Sequence, residues 1–456
     1  MHELVIRNGT LVSPLSVVSA DVGIDGERIA AVGPSLRGGR EIDATGLLLF
    51  PGLIDAHVHM ALPVAGTRSS DDFLSGTQAA ACGGVTTIVD FTVGAPERSI
   101  PQAIEARLAE AAASVVDYAL HGEVVGWRSG RQSEFRDAIE LGVSSFKFYT
   151  TYAESGRRTE PREMVAAFRE LAGLGALALV HAEDEGLIRS IAARLTDEER
   201  GRMRTLAAAR PDLAEQAAVS QATGAARTSG CSVHIVHVSS QIGLDAVRSA
   251  RSDGVSVTAE TCPQYLLLTS SVYDREDGHL FSASPPLRTD RDRDALWAAI
   301  RSRDIDYLAT DHCPFTRAQK MWRGSFLDLP YGLPGVETLL PLVYTEGVTR
   351  GRLHLTDLAR ILSESPAKRL GIHPRKGALD VGSDADIVLY DPNGESRVSA
   401  QMLHSRTDFS PYEGRTVSGR VAATLSRGEV VYEKGRITAS PGRGRPVRTE
   451  VHRSSR

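Results

Sequence analysis

A rhythm between residues 48 and 311 most restricts what this chain can fold into. Apolar runs "LLLFPGLID", "VTTIVDF", "VDYALHG", "VSSFKFY", "ALALVHA", "VHIVHV", "VSVTAE" and "DYLATD" recur there, separated by Ala- and Arg-rich stretches such as "IPQAIEARLAEAAASV" and "RDALWAAIRSR". Strand-like runs alternating with helical segments form a parallel sheet flanked by helices. Eight such units over roughly 320 residues fit a (β/α)8 TIM-like barrel, whose reactive groups stand at the C-terminal ends of the strands. A doubly wound open sheet is the rival, but no GxGxxG follows an early strand to favour it.

The two ends of the chain differ. Residues 3 to about 50 carry short alternating stretches, "ELVIRNGTLV", "ADVGIDG" and "ERIAAVG", broken by Gly and Asn, and similar stretches return in "DADIVLYDP" and "VAATLSRGEVVYEKG". These read as small antiparallel sheets. The last segment, 441–456, "PGRGRPVRTEVHRSSR", is basic and rich in Pro, Gly and Ser, and is expected to be a flexible tail or an arm laid on a neighbouring subunit.

Composition narrows the partners. The chain has 456 residues, 42% of them apolar and 24% charged, with a formal charge of −5. That balance suits a soluble globular protein and gives no electrostatic reason to expect nucleic acid or an anionic membrane as partner. No basic leader or apolar run of ~18 residues is present, so a cytoplasmic location is expected. Cys82, Cys231, Cys262 and Cys313 lack metal-binding or disulfide spacing and read as reduced thiols.

Chemistry enters with "PGLIDAHVHM". In an extended strand alternate side chains share a face, so His57 and His59 look in one direction. The fourth run holds Lys147, the fifth ends at His181, the sixth at His237 and the eighth at Asp311. Singly, each histidine has a structural reading as a core residue satisfied by hydrogen bonds. Jointly they converge on one barrel rim, and imidazole plus carboxylate without cysteine suits zinc, with manganese, cobalt and iron as other candidates.

Lys147 is odd in such a place, because an ammonium repels a metal. The chain has five lysines among 52 Lys plus Arg, so arginine is its default cation. A neutral amine can take up carbon dioxide and become an anionic carbamate able to bridge two metals, whereas arginine keeps its proton. Two divalent ions facing Asp311, a carbamate and a hydroxide would keep about one net positive charge, enough to polarise an amide carbonyl. A plain ion pair with a rim carboxylate is the alternative for this lysine.

These residues carry a family resemblance across nearly the whole chain. "PGLIDAHVHM", "GTRSSDDFLSGTQAAACGGVTTIVDF", "SFKFYTTY", "VHAEDEG", "HIVHVSS", "SASPPLR", "ATDHCPF" and "RKGALDVGSDADIVLYDP" resemble the cyclic amidohydrolases, and within them the hydantoinase and dihydropyrimidinase branch. The resemblance implies a barrel over 51–374 and a small β-sandwich assembled from 1–50 and 375–440. It implies one metal on His57, His59 and Asp311, another on His181 and His237, and a carboxylated Lys147 bridging both. Tyr152 would donate to the developing oxyanion, and Ser284 would hold the ring amide through its backbone.

The implied reaction is hydrolysis of a cyclic amide, a 5-substituted hydantoin or dihydropyrimidine, to an N-carbamoyl amino acid. The metals supply hydroxide near neutral pH, and Asp311 is the general base. The resemblance further implies a homo-oligomer, tetrameric by family habit. Sister activities, allantoinase or dihydroorotase, share the metal motifs, and the fold also has non-enzymatic scaffold relatives that lost their ligands. Two positions depart from the pattern: Tyr331 stands where hydantoinases usually have Asn, and Ala61 where Asp is common. Around the site, loops 62–67 and 149–156 are expected to set the preference for the ring substituent.

Overall fold

The computed structural model describes residues 1–128 and 130–451. Eight parallel strands form one sheet in chain order: β1 (Leu53–Val58), β2 (Val85–Phe91), β3 (Asp117–Glu123), β4 (Ser145–Tyr149), β5 (Leu177–His181), β6 (Ser232–Ile235), β7 (Val257–Thr261) and β8 (Tyr307–Leu308). The ring closes just past β8, where Val58 pairs with His312 in a parallel bridge and His59 N–H donates to the His312 carbonyl at 2.8 Å. The eight-unit barrel expected from the sequence rhythm is therefore present.

Local sequence explains the connecting helices. Helix Phe73–Cys82 begins with a reciprocal cap between Asp72 and Ser75, helix Ile100–Ala111 with one between Ser99 and Gln102, and helix Asp290–Ser302 with one between Thr289 and Asp292. Each pairs two backbone N–H groups that the first helical turn leaves without partners.

The run "LLLFPGLID" divides at its Pro51-Gly52 pair. Leu48–Pro51 belongs to a second sheet, and β1 starts after Gly52. A Cβ at Gly52 would stand 2.1 Å from Thr86 Oγ1 and 2.7 Å from Asp386 Cβ, so only glycine lets the chain cross there.

That second sheet draws on both chain ends. Arg436–Ile437, Glu429–Glu433, Thr416–Ser426, Ile387–Arg397, Leu48–Pro51, His2–Val12, Val17–Asp25 and Arg28–Gly33 follow one another across it. Gly38–Asp43 also pairs, in parallel, with the first half of His2–Val12, while Leu48 and Leu49 pair with its second half, so the sheet forks there. Its own core contains Leu4, Ile6, Val22, Ile24, Ile387 and Leu425.

A buried ionic cluster joins this sheet to the start of β3. Lys376 Nζ lies 2.6 Å from Asp117 Oδ2, 2.7 Å from Asp386 Oδ2 and 3.0 Å from Asp384 Oδ2, and Arg427 Nε lies 3.1 Å from Asp117 Oδ1.

The end of the chain corrects an expectation. Residues 441–451, read from composition as the start of a flexible tail, lie along their own barrel. Tyr118 N–H donates to the Arg445 carbonyl at 3.0 Å, Val447 N–H to Tyr118 at 2.7 Å, and Thr449 N–H to Gly142 at 2.9 Å. Backbone groups at the entry ends of β3 and β4 supply these partners, and composition carries no trace of backbone pairing. The rest of that expected tail, 452–456, lies outside the described residues. Among the described residues no helix is long and apolar enough to cross a membrane, and all four cysteines are free and buried.

Candidate metal centre

The residues singled out from the sequence meet at the C-terminal rim of the barrel. His57 lies near the end of β1 and His59 just past it, Lys147 lies in β4, His181 ends β5, and His237 and Asp311 follow β6 and β8. His57 Nε2 and His59 Nε2 approach the same oxygen, Asp311 Oδ1, at 3.3 and 3.2 Å. His181 Nδ1 and His237 Nε2 face each other at 3.0 Å. The two groups adjoin, with the His57 and His237 ring centroids 5.4 Å apart.

Lys147 enters between them. Its amine lies 4.8 Å from the Phe91 ring centroid, and that ring also packs on His57 and His59. Among the described residues no carboxylate comes within 4.0 Å of Lys147 Nζ. Burial pulls the amine down to about 8, against the opposing attraction of Asp311, Glu260 and Glu123.

Two buried acids, neither singled out from the sequence, aim the imidazoles. Glu260, in β7, takes His57 Nδ1 at 2.5 Å through one oxygen and His234 Nε2 at 3.2 Å through the other. Glu183 takes His181 Nε2 at 2.9 Å, and also holds Arg210 Nη2 at 2.6 Å and the Ser284 hydroxyl at 2.9 Å. Each acid occupies the outer nitrogen of a histidine, which leaves the inner nitrogen's lone pair facing the centre. A signal for both was available: an acid inside the apolar run "VSVTAE" and another two residues after His181.

This donor set fits metal ions. Donors held at ~2.0–2.1 Å by a tetrahedral ion stand roughly 3.3 Å from one another, close to the separations found here. His57 Nε2, one of these donors, is buried without a hydrogen-bond partner. Burial first, then the charge of Lys147 on His57 and of His181 on His237, holds both imidazoles well below the usual histidine range, so they are neutral donors. His57, His59 and Asp311 each offer one atom within 4.8 Å of the others.

Backbone conformation points to the same place. Asp311 at φ 52°, His237 at φ 41° and Tyr152 at φ 69° occupy the left-handed region that side-chain-bearing residues rarely adopt. Such conformations persist where the surroundings over-determine them. Asp55 is one such constraint, accepting both the N–H (3.0 Å) and the hydroxyl of Thr310, next to Asp311.

Beside the rim stand Tyr152, Ser284 and Tyr331. Tyr152 Oη lies 2.5 Å from Ser284 Oγ, and burial pushes its phenol up, so it remains a protonated donor. Glu185 fixes its backbone, accepting from Tyr152 N–H and the Thr151 hydroxyl, each at 2.7 Å. The Ser284 hydroxyl is occupied by Tyr152 and Glu183, while among the described residues nothing hydrogen-bonds to its N–H or C=O. Tyr331 turns its hydroxyl onto the Phe326 carbonyl at 3.1 Å and likewise keeps its own backbone groups free.

Three other tempting groups are accounted for locally. His121 bonds Ser145 Oγ at 2.6 Å and the Ala56 carbonyl at 3.1 Å. His312 accepts from Gly335 N–H at 3.1 Å and faces Asp71 at 3.1 Å. Burial pushes the Cys313 thiol well up, so it is no nucleophile.

Known proteins resemble this chain in sequence and in fold. The model of the amidohydrolase family matches residues 48–431. D-phenylhydantoinase of Escherichia coli strain 55989 is 39% identical over 453 residues, covering 98% of each chain. Among solved structures, dihydropyrimidinase from Brevibacillus agri superposes with a TM-score of 0.96 at 34% identity over 98% of each chain. L-hydantoinase (dihydropyrimidinase) from Arthrobacter aurescens does so with a TM-score of 0.92 at 31% identity, over 99% of this chain and 100% of its own. The chain belongs to the amidohydrolase family, on its hydantoinase and dihydropyrimidinase branch.

Proposed function

We propose that this protein opens cyclic amides, hydantoins with a 5-substituent or dihydropyrimidines, by hydrolysis to N-carbamoyl amino acids. The carrying observation is the rim itself, where four imidazoles, two of them braced from outside by Glu260 and Glu183, and Asp311 surround a buried lysine that has no carboxylate within 4.0 Å among the described residues. His57, His59 and Asp311 would hold one divalent ion, His181 and His237 a second, and Lys147 would serve both as its carbamate. Zinc is the first candidate, with manganese, cobalt or iron suiting the same donors. When bound, such a pair polarises a carbonyl and lowers the pKa of a water.

The remaining steps belong to the side chains. In the metal-free chain His57, His59 and the Lys147 ammonium outweigh the effect of burial and hold Asp311 below the usual carboxylate range; with Lys147 as a carbamate the bound cations would take over that role, so Asp311 is an ionised base in either state. It accepts the proton released as water attacks the ring carbonyl and passes it to the departing ring nitrogen. Tyr152 donates to the oxygen that gains charge, a contribution on the order of 3 kcal/mol. The free N–H and C=O of Ser284 suit an amide edge, which presents one acceptor and one donor. Tyr331 offers the same pair, and its phenol, anchored on Phe326, leaves that use of the backbone intact.

A homo-oligomer of four subunits and a cytoplasmic location complete the reading. The test is metal content per chain, together with turnover on hydantoin, a 5-substituted hydantoin, dihydrouracil, allantoin and dihydroorotate. Two metals per chain with the highest kcat/KM on the hydantoins or dihydrouracil supports the proposal. Preference for allantoin or dihydroorotate would move the protein to a sister activity, and a metal-loaded chain inert on all five would overturn it.

A further inference from the structure

A second constellation of metal-binding side chains lies outside the barrel rim. Cys82, the last residue of helix Phe73–Cys82, Glu337 and His404 each offer one ligand atom, and all three atoms lie within 4.8 Å of one another. Glu337 holds His404 twice: Oε1 lies 2.8 Å from His404 Nδ1, and Oε2 accepts from His404 N–H at 2.7 Å.

Three separate chain segments are brought together here by features of the fold. A Cβ at Gly83 would stand 2.7 Å from Glu337 Cα, so the glycine after Cys82 is what lets the Glu337 segment reach the helix end. Past His404, the Ser405 hydroxyl and Arg406 N–H donate to Asp71, and Arg406 Nη1 lies 2.6 Å from Asp72, the cap of that same helix.

An ion pair explains Glu337 and His404 but not the thiol. Cys82 is 5% exposed and, among the described residues, forms no disulfide. Burial and the charge of Glu337 both push the Cys82 thiol up and keep it protonated, and an S–H is only a weak donor to a carboxylate. A divalent cation is the species that uses all three groups, because it displaces the thiol proton and satisfies the carboxylate and imidazole together.

We propose that Cys82, Glu337 and His404 form a separate mononuclear site for a divalent cation of the zinc and cadmium class. Sulfur, nitrogen and oxygen in one set select such borderline to soft ions over magnesium or calcium. Side chains of His404 (29% exposed) and Glu337 (12% exposed) open to solvent, giving an entry path and room for a water as fourth ligand. Loading sets the three donors to the spacing of a tetrahedral set. It pins the helix end to the segments at 335–337 and 403–406. Gly335 and Val336 donate to His312 Nδ1 at 3.1 and 3.3 Å, so the pinned segment abuts the neighbour of Asp311.

Cadmium distinguishes this site from the rim, whose proposed donors include no sulfur. The metal-loaded enzyme is titrated with cadmium chloride while the thiolate-to-cadmium charge-transfer absorption in the ultraviolet is followed. The expected result is a band that saturates at one cadmium per chain and disappears in Cys82→Ser. In His404→Gln, which keeps every cysteine and alters a partly exposed residue, half-saturation should need at least tenfold more cadmium. Absence of the band in the wild type, or its persistence in Cys82→Ser, overturns the proposal. Should Cys82→Ser fail to fold, an unchanged midpoint in His404→Gln overturns it equally.

Discussion

Two buried lysines at opposite ends of the barrel have almost the same exposure, 1% each, and opposite surroundings. Lys147, at the C-terminal rim, meets aromatic faces and imidazoles, and burial brings its amine down to about 8. Lys376 is also disfavoured by burial, but Asp386, Asp117 and Asp384 more than offset this and hold its proton well above the usual lysine range. One amine is able to lose its proton and react; the other is a fixed cation joining β3 to the terminal sheet. Residue type and burial are equal, so the neighbouring carboxylates alone decide between chemistry and architecture.

The largest expected effect breaks that contrast at the rim. Arginine keeps its proton and cannot form a carbamate, so Lys147→Arg should lower kcat at least 10⁴-fold, about 5.5 kcal/mol of barrier, and reduce bound metal per chain. Its circular dichroism and thermal midpoint, measured alongside, should stay close to wild type. Turnover within tenfold of wild type would make Lys147 a structural cation like its counterpart.

At the other end the prediction reverses. Lys376→Met leaves three buried carboxylates with Arg427 beside Asp117, Arg28 and Arg375 beside Asp384, and no side-chain ion pair to Asp386 among the described residues, and should cost about 3–5 kcal/mol in urea unfolding. The folded fraction should turn over substrate at the wild-type rate. Unchanged stability would mean that desolvation cancels the attraction within the cluster.

This contrast also marks what the sequence can and cannot reveal. Barrel strands are legible because apolar runs and helical segments alternate, and Lys147 stands out because lysine is scarce in this chain. Asp311 and His237 are legible as polar residues at the ends of apolar runs. Glu183 and Glu260 escape notice because their role is a hydrogen bond to the far nitrogen of a histidine, and in Glu260's case that histidine, His57, is 203 positions away. The change of sheet at Gly52 is marked by the Pro51-Gly52 pair, but the reason that only glycine fits, contact with Thr86 and Asp386, is not a local pattern. The segment 441–451 escapes for a related reason: it is held by backbone groups, which are the same in every composition.

A smaller effect sharpens the rim side. Glu260→Gln keeps an acceptor for His57 Nδ1 but removes the charge that strengthens the other nitrogen as a ligand. Metal affinity, measured by competition with a chelator, should fall 10–100-fold, while kcat at saturating metal stays near wild type. Equal affinity would show that Glu260 merely orients the ring.

Lys320 offers a third environment and the smallest effect. It is wholly buried, and its Nζ donates to the Ser282 carbonyl at 2.9 Å and the Ser282 hydroxyl at 2.8 Å. A neutral amine has two hydrogens, and here it finds two acceptors, with no carboxylate among the described residues paired to it to favour a third proton. Burial accordingly brings this amine down to about 7, with only Cys313 opposing. In the unfolded chain a lysine keeps its proton to about 10.4, so between about 7 and 10.4 the unfolded state binds the extra proton. Stability contributed by this group must therefore rise with pH across that window, by up to about 1.4 kcal/mol per unit. Lys147 has the same sign, so the informative quantity is wild-type unfolding free energy minus that of Lys320→Met, measured in urea from pH 7 to 10. A difference that climbs with pH places Lys320 with Lys147, as a lysine that folding strips of its proton. A flat difference would mean that the Ser282 carbonyl and hydroxyl suffice to hold an ammonium, and would place it with Lys376.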